Sequence, residues 1–252
     1  MEKLTSRKNP YIVHLRSLGG DAGYRYSCGE YLCDGHKLFR EALEFGAEIS
    51  SVLWKNVPDG GAGLPASVRQ YYAPEDLFTY ASPMSNSPGP LFTVRIPEPG
   101  GSDMLKNALI IEGVQDPGNV GTVLRSANAF GISAVVLVGE CADAFSPKTV
   151  RSTMGAIFRQ RIIRTDIQGL SGLLRENGLK LYGAVLSDDA VSIADTDVTG
   201  AAVAVGSEGR GLSRELISIC DGKLIIPMEP DSESLNAAVA ASIIMWEMSV
   251  KK

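Results

Sequence analysis

Residues 107–130 read NALIIEGVQDPGNVGTVLRSANAF. An unbroken apolar run at 108–111 leads into a polar loop, and the loop turns at Asp116-Pro117-Gly118 into a helical pattern. A strand buried on both faces reads as such a run, whereas a half-exposed strand alternates. The same order recurs at 202–220, AVAVGSEGRGLSRELISIC, and at 223–248, KLIIPMEPDSESLNAAVAASIIMWEM. Strand, glycine-bearing or polar loop, helix, three times over, predicts an α/β domain with a mostly parallel sheet covered on both faces. Its loops fall past the carboxyl ends of the strands, where open α/β sheets bind ligands.

Working outward, the same alternation predicts strands at 107–112, 134–138, 181–186, 202–206 and 223–227. Helices are expected at 120–130, 147–155, 168–177, 212–220 and 234–249. Residues 83–102 are dense in Pro, Gly and Ser and end in PEPGGS, which marks a boundary. The expected organisation is a smaller α/β domain over 1–97, a linker at 98–103 and a second domain over 104–252. In the first domain Asn9-Pro10 opens a helix carrying Ile12, Leu15 and Leu18. Tyr26 to Cys33 reads as a strand. A helix over 36–45 presents Leu38, Ala42, Leu43 and Phe45, strands are expected at 51–54 and 68–72, a short helix starts near Pro74, and the glycines at 59–63 read as a turn.

A chain of 252 residues with 44% apolar and 21% charged residues has enough apolar mass for a substantial core. No apolar run reaches the roughly 18–20 residues of a bilayer span, and no apolar segment follows the charged start, so the cytoplasm is expected. The four cysteines match no zinc-ligand spacing and only two histidines are present, so no metal site is expected. The net charge of −5 argues against coating nucleic acid by bulk charge. Local charge is another matter. Residues 146–164 hold Lys148, Arg151, Arg159, Arg161 and Arg164 with no acid, and the chain start holds Lys3, Arg7, Lys8 and Arg16 against Glu2. Both stretches suit phosphate as well as they suit solvent.

Each loop offers chemistry. The turn through Gly118 and Gly121 permits close backbone approach, its helix start favours an anion, and Arg125 can grip a phosphate or oxyanion with its planar fork. A dinucleotide site is a weaker reading, because the G-N-V-G turn lacks the G-x-G-x-x-G pattern. In the second loop Gly206, Gly209 and Gly211 surround Glu208, which can accept hydrogen bonds from hydroxyls or orient Arg125. In the third, Ser234 is a candidate helix cap and Asn236 offers both donor and acceptor. The alanines at 237, 238, 240 and 241 mark a close helix contact, in the core or between two copies.

D-P-G-N-V-G-T-V-L-R-S-A, G-S-E-G-R-G-L and I-P-M followed by E-S-L-N-A-A-V-A resemble, in order and spacing, the three motifs of the SpoU (TrmH-like) RNA 2′-O-ribose methyltransferases of the SPOUT superfamily. The likeness covers about 104–249, with S-P-K-T-V-R-S-T-M-G-A-I-F-R resembling the connector between motifs. More loosely, S-R-K-N-P-Y-I and C-D-G-H-K-L-F-R-E-A-L resemble the family's small RNA-binding domain. Asp34 stands where the family usually has Glu, and Pro230 where it commonly has Gly.

The resemblance implies a C-terminal domain tied in a trefoil knot, an N-terminal RNA-binding domain, a homodimer, and S-adenosylmethionine as cofactor. It places Asn119, Arg125, Glu208, Ser234 and Asn236 at catalytic positions, and Leu186, Gly206, Ile226 and Leu235 against the cofactor. Lys8, Arg16, Lys148, Arg151 and Arg159 are the candidate RNA contacts. The implied activity is methyl transfer to a ribose 2′-hydroxyl of structured RNA, ribosomal RNA favoured over tRNA, without a metal and without a membrane. The alternative is a catalytically silent RNA-binding or ribosome-assembly factor on the same fold.

Overall fold

The computed structural model describes residues 1–57, 64–98, 104–229 and 234–250. The expected turn at 59–63, all but the first residue of the expected linker, and Pro230 lie outside the described residues. In chain order the elements are β1 (Glu2–Lys3), α1 (Pro10–Gly20), α2 (Ala22–Cys28), β2 (Glu30–Asp34), α3 (His36–Glu44), β3 (Ile49–Lys55), β4 (Arg69–Ala73), α4 (Glu75–Ala81) and β5 (Leu91–Arg95). They continue as β6 (Ala108–Glu112), α5 (Pro117–Ala129), β7 (Ala134–Val138), α6 (Pro147–Ser152), β8 (Ile162–Thr165), α7 (Ile167–Asn177), β9 (Leu181–Ala184), β10 (Val191–Ser192), β11 (Ala202–Gly206), α8 (Arg214–Ser218), β12 (Gly222–Ile225) and α9 (Ala237–Val250). Two compact units result: Met1–Glu98 with Asp143–Phe158, and Pro99–Ala142 with Arg159–Lys252.

The first unit is built on a mixed sheet, β1-β4-β3-β5-β2, in which β5 runs antiparallel to both neighbours. Ile12, Leu15 and Leu18 of α1 are fully buried against Leu32, Leu53, Phe78 and Leu91, as their helical spacing requires. In α3 the buried face is Leu38, Phe39 and Ala42, while Leu43 and Phe45 are exposed, which corrects the expected face by one position. The strand expected from Tyr26 to Cys33 is another correction. Asp21 accepts from Tyr24 N and starts α2, and Gly29 ends it with φ 66°, so the strand begins only at Glu30. A helix cap and a left-handed glycine outweigh the β preference of two tyrosines.

The excursion 143–158 belongs to this unit by its contacts. Its helix α6 packs on β2 and stops at Ser152, three residues short of the expected end, where Met154 and Gly155 take positive φ. Asp143 is the anchor. It pairs with the buried Arg25 (Nη2 to Oδ2, 2.6 Å), which also donates to the Leu18 carbonyl, and it accepts from Tyr26 Oη at 3.0 Å.

The second unit holds seven parallel strands in the order β10-β12-β9-β11-β6-β7-β8. Its middle strands, ALIIE, AVVLV and AVAVG, are buried almost throughout, in keeping with their unbroken apolar runs. Each such Val, Leu or Ile contributes about 1.5–3 kcal/mol of transfer free energy. α5 lays Val120, Val123, Leu124 and Ala127 on the core and packs against α9, whose Ala237, Ala238 and Ala241 are buried. The small side chains let the two helices approach closely, and Ser126 Oγ meets Ser242 Oγ at 2.9 Å across the contact.

Candidate active site

The loops after β6 and β11 and the chain entering α9 meet at one carboxylate. Asn119 Nδ2 donates to Glu208 Oε1 at 2.6 Å, Asn236 Nδ2 donates to the same oxygen at 2.9 Å, and Ala237 N reaches it at 3.3 Å. Asn236 Nδ2 also lies 3.2 Å from Asn119 Oδ1. Glu208 Oε2 has no partner among the described residues. One oxygen of an exposed side chain is therefore held by three donors.

Local sequence explains each placement. Asp116 Oδ1 accepts from Gly118 N (2.7 Å) and Asn119 N (3.1 Å), and Pro117 starts α5, so Asn119 is fixed as the third residue of a capped helix. A Cβ on Gly118 would lie 2.7 Å from the capping oxygen, so a larger residue there would push the Asp116 side chain aside. The amides expected to attract an external anion are thus already satisfied by Asp116. Glu208 stands on a tight loop closed by Gly211 N donating to Ser207 O at 2.9 Å. A Cβ on Gly206 would come within 2.0 Å of the Gly211 carbonyl carbon, so this close approach of two backbones permits only glycine. At the other end, Glu112 accepts from Ser213 N and Ser213 Oγ, each at 2.7 Å, and ties the start of α8 to the end of β6. Asn236, rather than Ser234, caps α9: its Oδ1 accepts from Ala238 N and Val239 N.

Beside Glu208 lies a cavity of about 370 Å³. All four residues expected against a cofactor, Leu186, Gly206, Ile226 and Leu235, line it, together with Glu208 and Ser234. The walls are otherwise mainly apolar, with Val205, Leu212 and Met228 among them. A concave apolar cleft with a few polar groups at its rim is the usual form of a small-molecule site. Arg125 is exposed on α5, does not line the cavity and makes no hydrogen bond or ion pair among the described residues; the expected contact with Glu208 is not formed. Of the cations, Lys8, Arg16, Lys148 and Arg151 are exposed on the first unit and Arg159 on the second, so the cationic run at 146–164 is shared between units. Asp116 and Glu112 are the site residues that sequence reasoning missed. The Asp-Pro step was itself the signal for the first, and only the fold pairs Glu112 with a serine about a hundred residues away.

No group of three or more His, Cys, Asp or Glu placed to hold a metal occurs among the described residues, and no helix among them is long and apolar enough to cross a membrane. Burial pushes the thiols of Cys33, Cys141 and Cys220 up, that of Cys220 to about 11.

An all-parallel α/β unit whose strand-end loops converge on a small-molecule cleft defines a ligand-binding or catalytic α/β protein. The comparisons narrow that class. Residues 106–246 match the model of the SpoU rRNA Methylase family, and the chain belongs to that family. It is 31% identical to the 23S rRNA (guanosine(2553)-2′-O)-methyltransferase RlmP of Bacillus subtilis (strain 168), over 98% of this chain and 99% of that one. Its fold is similar to that of an RNA methyltransferase of the TrmH family from Porphyromonas gingivalis (TM-score 0.87, 30% identity, 99% of each chain). It is also similar to an AdoMet-bound rRNA methyltransferase from Sinorhizobium meliloti (TM-score 0.84, 26% identity, 98% of this chain and 96% of that one).

Proposed function

We propose that the chain transfers a methyl group from S-adenosylmethionine to a ribose 2′-hydroxyl of RNA, ribosomal RNA in particular. The observation that carries the reading is Glu208 held by Asn119 and Asn236, residues of all three motifs, at the rim of the apolar cavity. Ribosomal RNA is favoured because the relative named for 23S rRNA aligns with both units, end to end. RNA rather than DNA follows from the chemistry, since only RNA has the 2′-hydroxyl.

The cavity residues fit the cofactor. Leu186, Ile226 and Leu235 offer apolar walls, and the backbone at Gly206 lines the same cavity. When bound, S-adenosylmethionine supplies a methyl group already activated by a positively charged sulfur. The protein's own part is alignment and proton handling. The other oxygen of Glu208, Oε2, accepts a hydrogen bond from the ribose hydroxyl, and Asn119 and Asn236 fix the carboxylate through its Oε1. Ser234 helps to orient the ribose or the cofactor. Arg125 clamps a phosphate or the developing oxyanion; a guanidinium with a pKa above ~12 gives up a proton reluctantly, so the clamp is the better role. The remaining parts of this reading are a trefoil-knotted second unit, an RNA-binding first unit, a homodimer and a cytoplasmic location. The dimer is supported by an exposed apolar stripe on α9: Val239, Trp246 and Val250.

Incubation with methyl-labelled S-adenosylmethionine and total ribosomal RNA, followed by nuclease digestion and mass spectrometry, tests the assignment. Label on ribose is expected. Label on a base overturns the 2′-O assignment, and RNA binding without any transfer supports the silent assembly factor instead.

A further inference from the structure

Two arginines of the first unit share one tyrosine ring. The guanidinium carbon of Arg7 lies 4.5 Å from the centroid of the Tyr80 ring, and that of Arg16 lies 4.3 Å from it. Arg16 projects from α1 and also donates from Nη1 to the Tyr80 carbonyl at 2.6 Å, one of the carbonyls left open where α4 ends. Arg7 sits in the turn before α1, where Asn9 N donates to Ser6 O and Lys8 N to Ser6 Oγ. Both guanidiniums are exposed, and among the described residues neither has a carboxylate within salt-bridge distance. No acid occurs in α1, and the two acids of α4, Glu75 and Asp76, lie in its first turn, with Glu75 paired to Lys55.

Two like charges are gathered on one aromatic ring, with Lys8 next to one of them in sequence and, among the described residues, no carboxylate in salt-bridge contact with either arginine. Arg16 has a structural duty in closing α4. Arg7 has none: among the described residues its side chain makes no hydrogen bond or ion pair and lies over the ring. A long side chain ordered in this way has already lost much of its rotamer freedom, so a ligand would meet it pre-set. What a pair of planar forks with free N–H edges grips best is phosphate, which takes two parallel hydrogen bonds from each fork.

We propose that Arg7, Arg16 and Tyr80 form a clamp for the phosphate backbone of the RNA substrate, with Tyr80 as the platform that holds both guanidiniums ready. The proposal rests on the RNA-directed reading above and adds to it the place where the first unit grips the strand.

The test is the salt dependence of binding to a transcript of 23S ribosomal RNA, measured by filter binding between 50 and 200 mM salt. Each phosphate contact contributes roughly 0.7–0.9 to the slope of log affinity against log salt. The Arg7→Gln variant, which disturbs no contact of the fold beyond the ring, is expected to lower the slope by about one contact, and Arg7→Gln with Arg16→Gln by about two. Tyr80→Phe keeps the platform and should bind as the unsubstituted chain does; Tyr80→Leu should bind several-fold more weakly with the slope nearly intact. S-adenosylmethionine affinity stays unchanged in all of them. A slope untouched by Arg7→Gln overturns the clamp, even if the chain methylates RNA. A slope that falls as described, in a chain that transfers no methyl group, keeps the clamp and overturns the enzyme.

Discussion

At the scale of single residues, the chemistry turns on the difference between Glu208 and Arg125. Glu208 is held from two other loops, whereas Arg125 makes no hydrogen bond or ion pair among the described residues and stands outside the cavity. On the proposed reading Arg125 acts in the reaction and contributes little to cofactor binding. Arg125→Ala should therefore reduce turnover by 10²–10³-fold or more, the range for losing a group that stabilises developing charge, while the dissociation constant for S-adenosylmethionine stays within severalfold. Single-turnover kinetics beside calorimetric titration separates the two, and a lost cofactor affinity would mean that Arg125 belongs to the binding site. Cys220 invites a second experiment. Burial chiefly, then the charges of Asp221 and Glu112, push its thiol to about 11, so at pH 8 only about one molecule in a thousand carries the reactive thiolate. Iodoacetamide should modify it slowly in the native protein, about tenfold faster for each pH unit below 11, and readily in denaturant. Mass spectrometry of the peptide reads this directly, and fast native labelling at pH 8 would contradict the burial.

At the scale of elements, what was legible and what was not divide along a physical line. β6, β7 and β11 can be read almost to the residue because strands covered on both faces must be apolar throughout. That Asn119, Glu208 and Asn236 come together follows from strand-end loops and helix starts whose glycines and caps are dictated by local backbone geometry. α2 was hidden by its tyrosines, and β5 by the prolines and glycines around it, since its partners are remote strands rather than near neighbours in the chain. Least legible was the excursion 143–158. An amphipathic pattern tells that a helix buries one face, never which sheet receives it. The decisive contact is the Arg25–Asp143 pair, more than a hundred residues apart and almost fully buried. Removing one partner of a buried pair strands the other charge, at a cost of about 3–5 kcal/mol. Arg25→Met should lower the stability of the first unit by that much, and Arg25→Met with Asp143→Leu should recover part of it. Urea unfolding measures both, and hydrogen exchange should find the amides of α6 opening first. A single variant as stable as the unsubstituted chain would show that the excursion is held by packing alone.

At the scale of the whole molecule, the open question is which chain completes which site. α9 turns Val239, Trp246 and Val250 outward, 47%, 52% and 47% exposed, although they recur at the spacing of one helix face. Phe130, at the C-terminal end of α5, meets Trp246 edge to face, 5.9 Å between centroids, and extends the apolar surface. A two-fold axis beside this stripe would bury it against its own copy, the commonest way for soluble proteins to pair. The chain should then sediment as a dimer of 26.8 kDa subunits, and Trp246→Glu as a folded monomer of that mass. An unsubstituted chain that sediments as a monomer at micromolar concentration would exclude the pairing. The dimer also gives Arg125 a reason to stand clear of its own cavity: it can serve the partner's. Mixing two inactive proteins decides this. Gly206→Ala forces the cofactor loop out of shape, because the new Cβ strikes the Gly211 backbone, and Arg125→Ala removes the clamp. If the arginine acts on the partner's cofactor, a heterodimer of the two variants contains one site with both functions intact and one with neither. Random exchange of subunits then restores about one quarter of normal activity, since about half of the dimers are mixed and half of their sites work. If each arginine serves its own chain, every site in the mixture carries one defect and no activity returns.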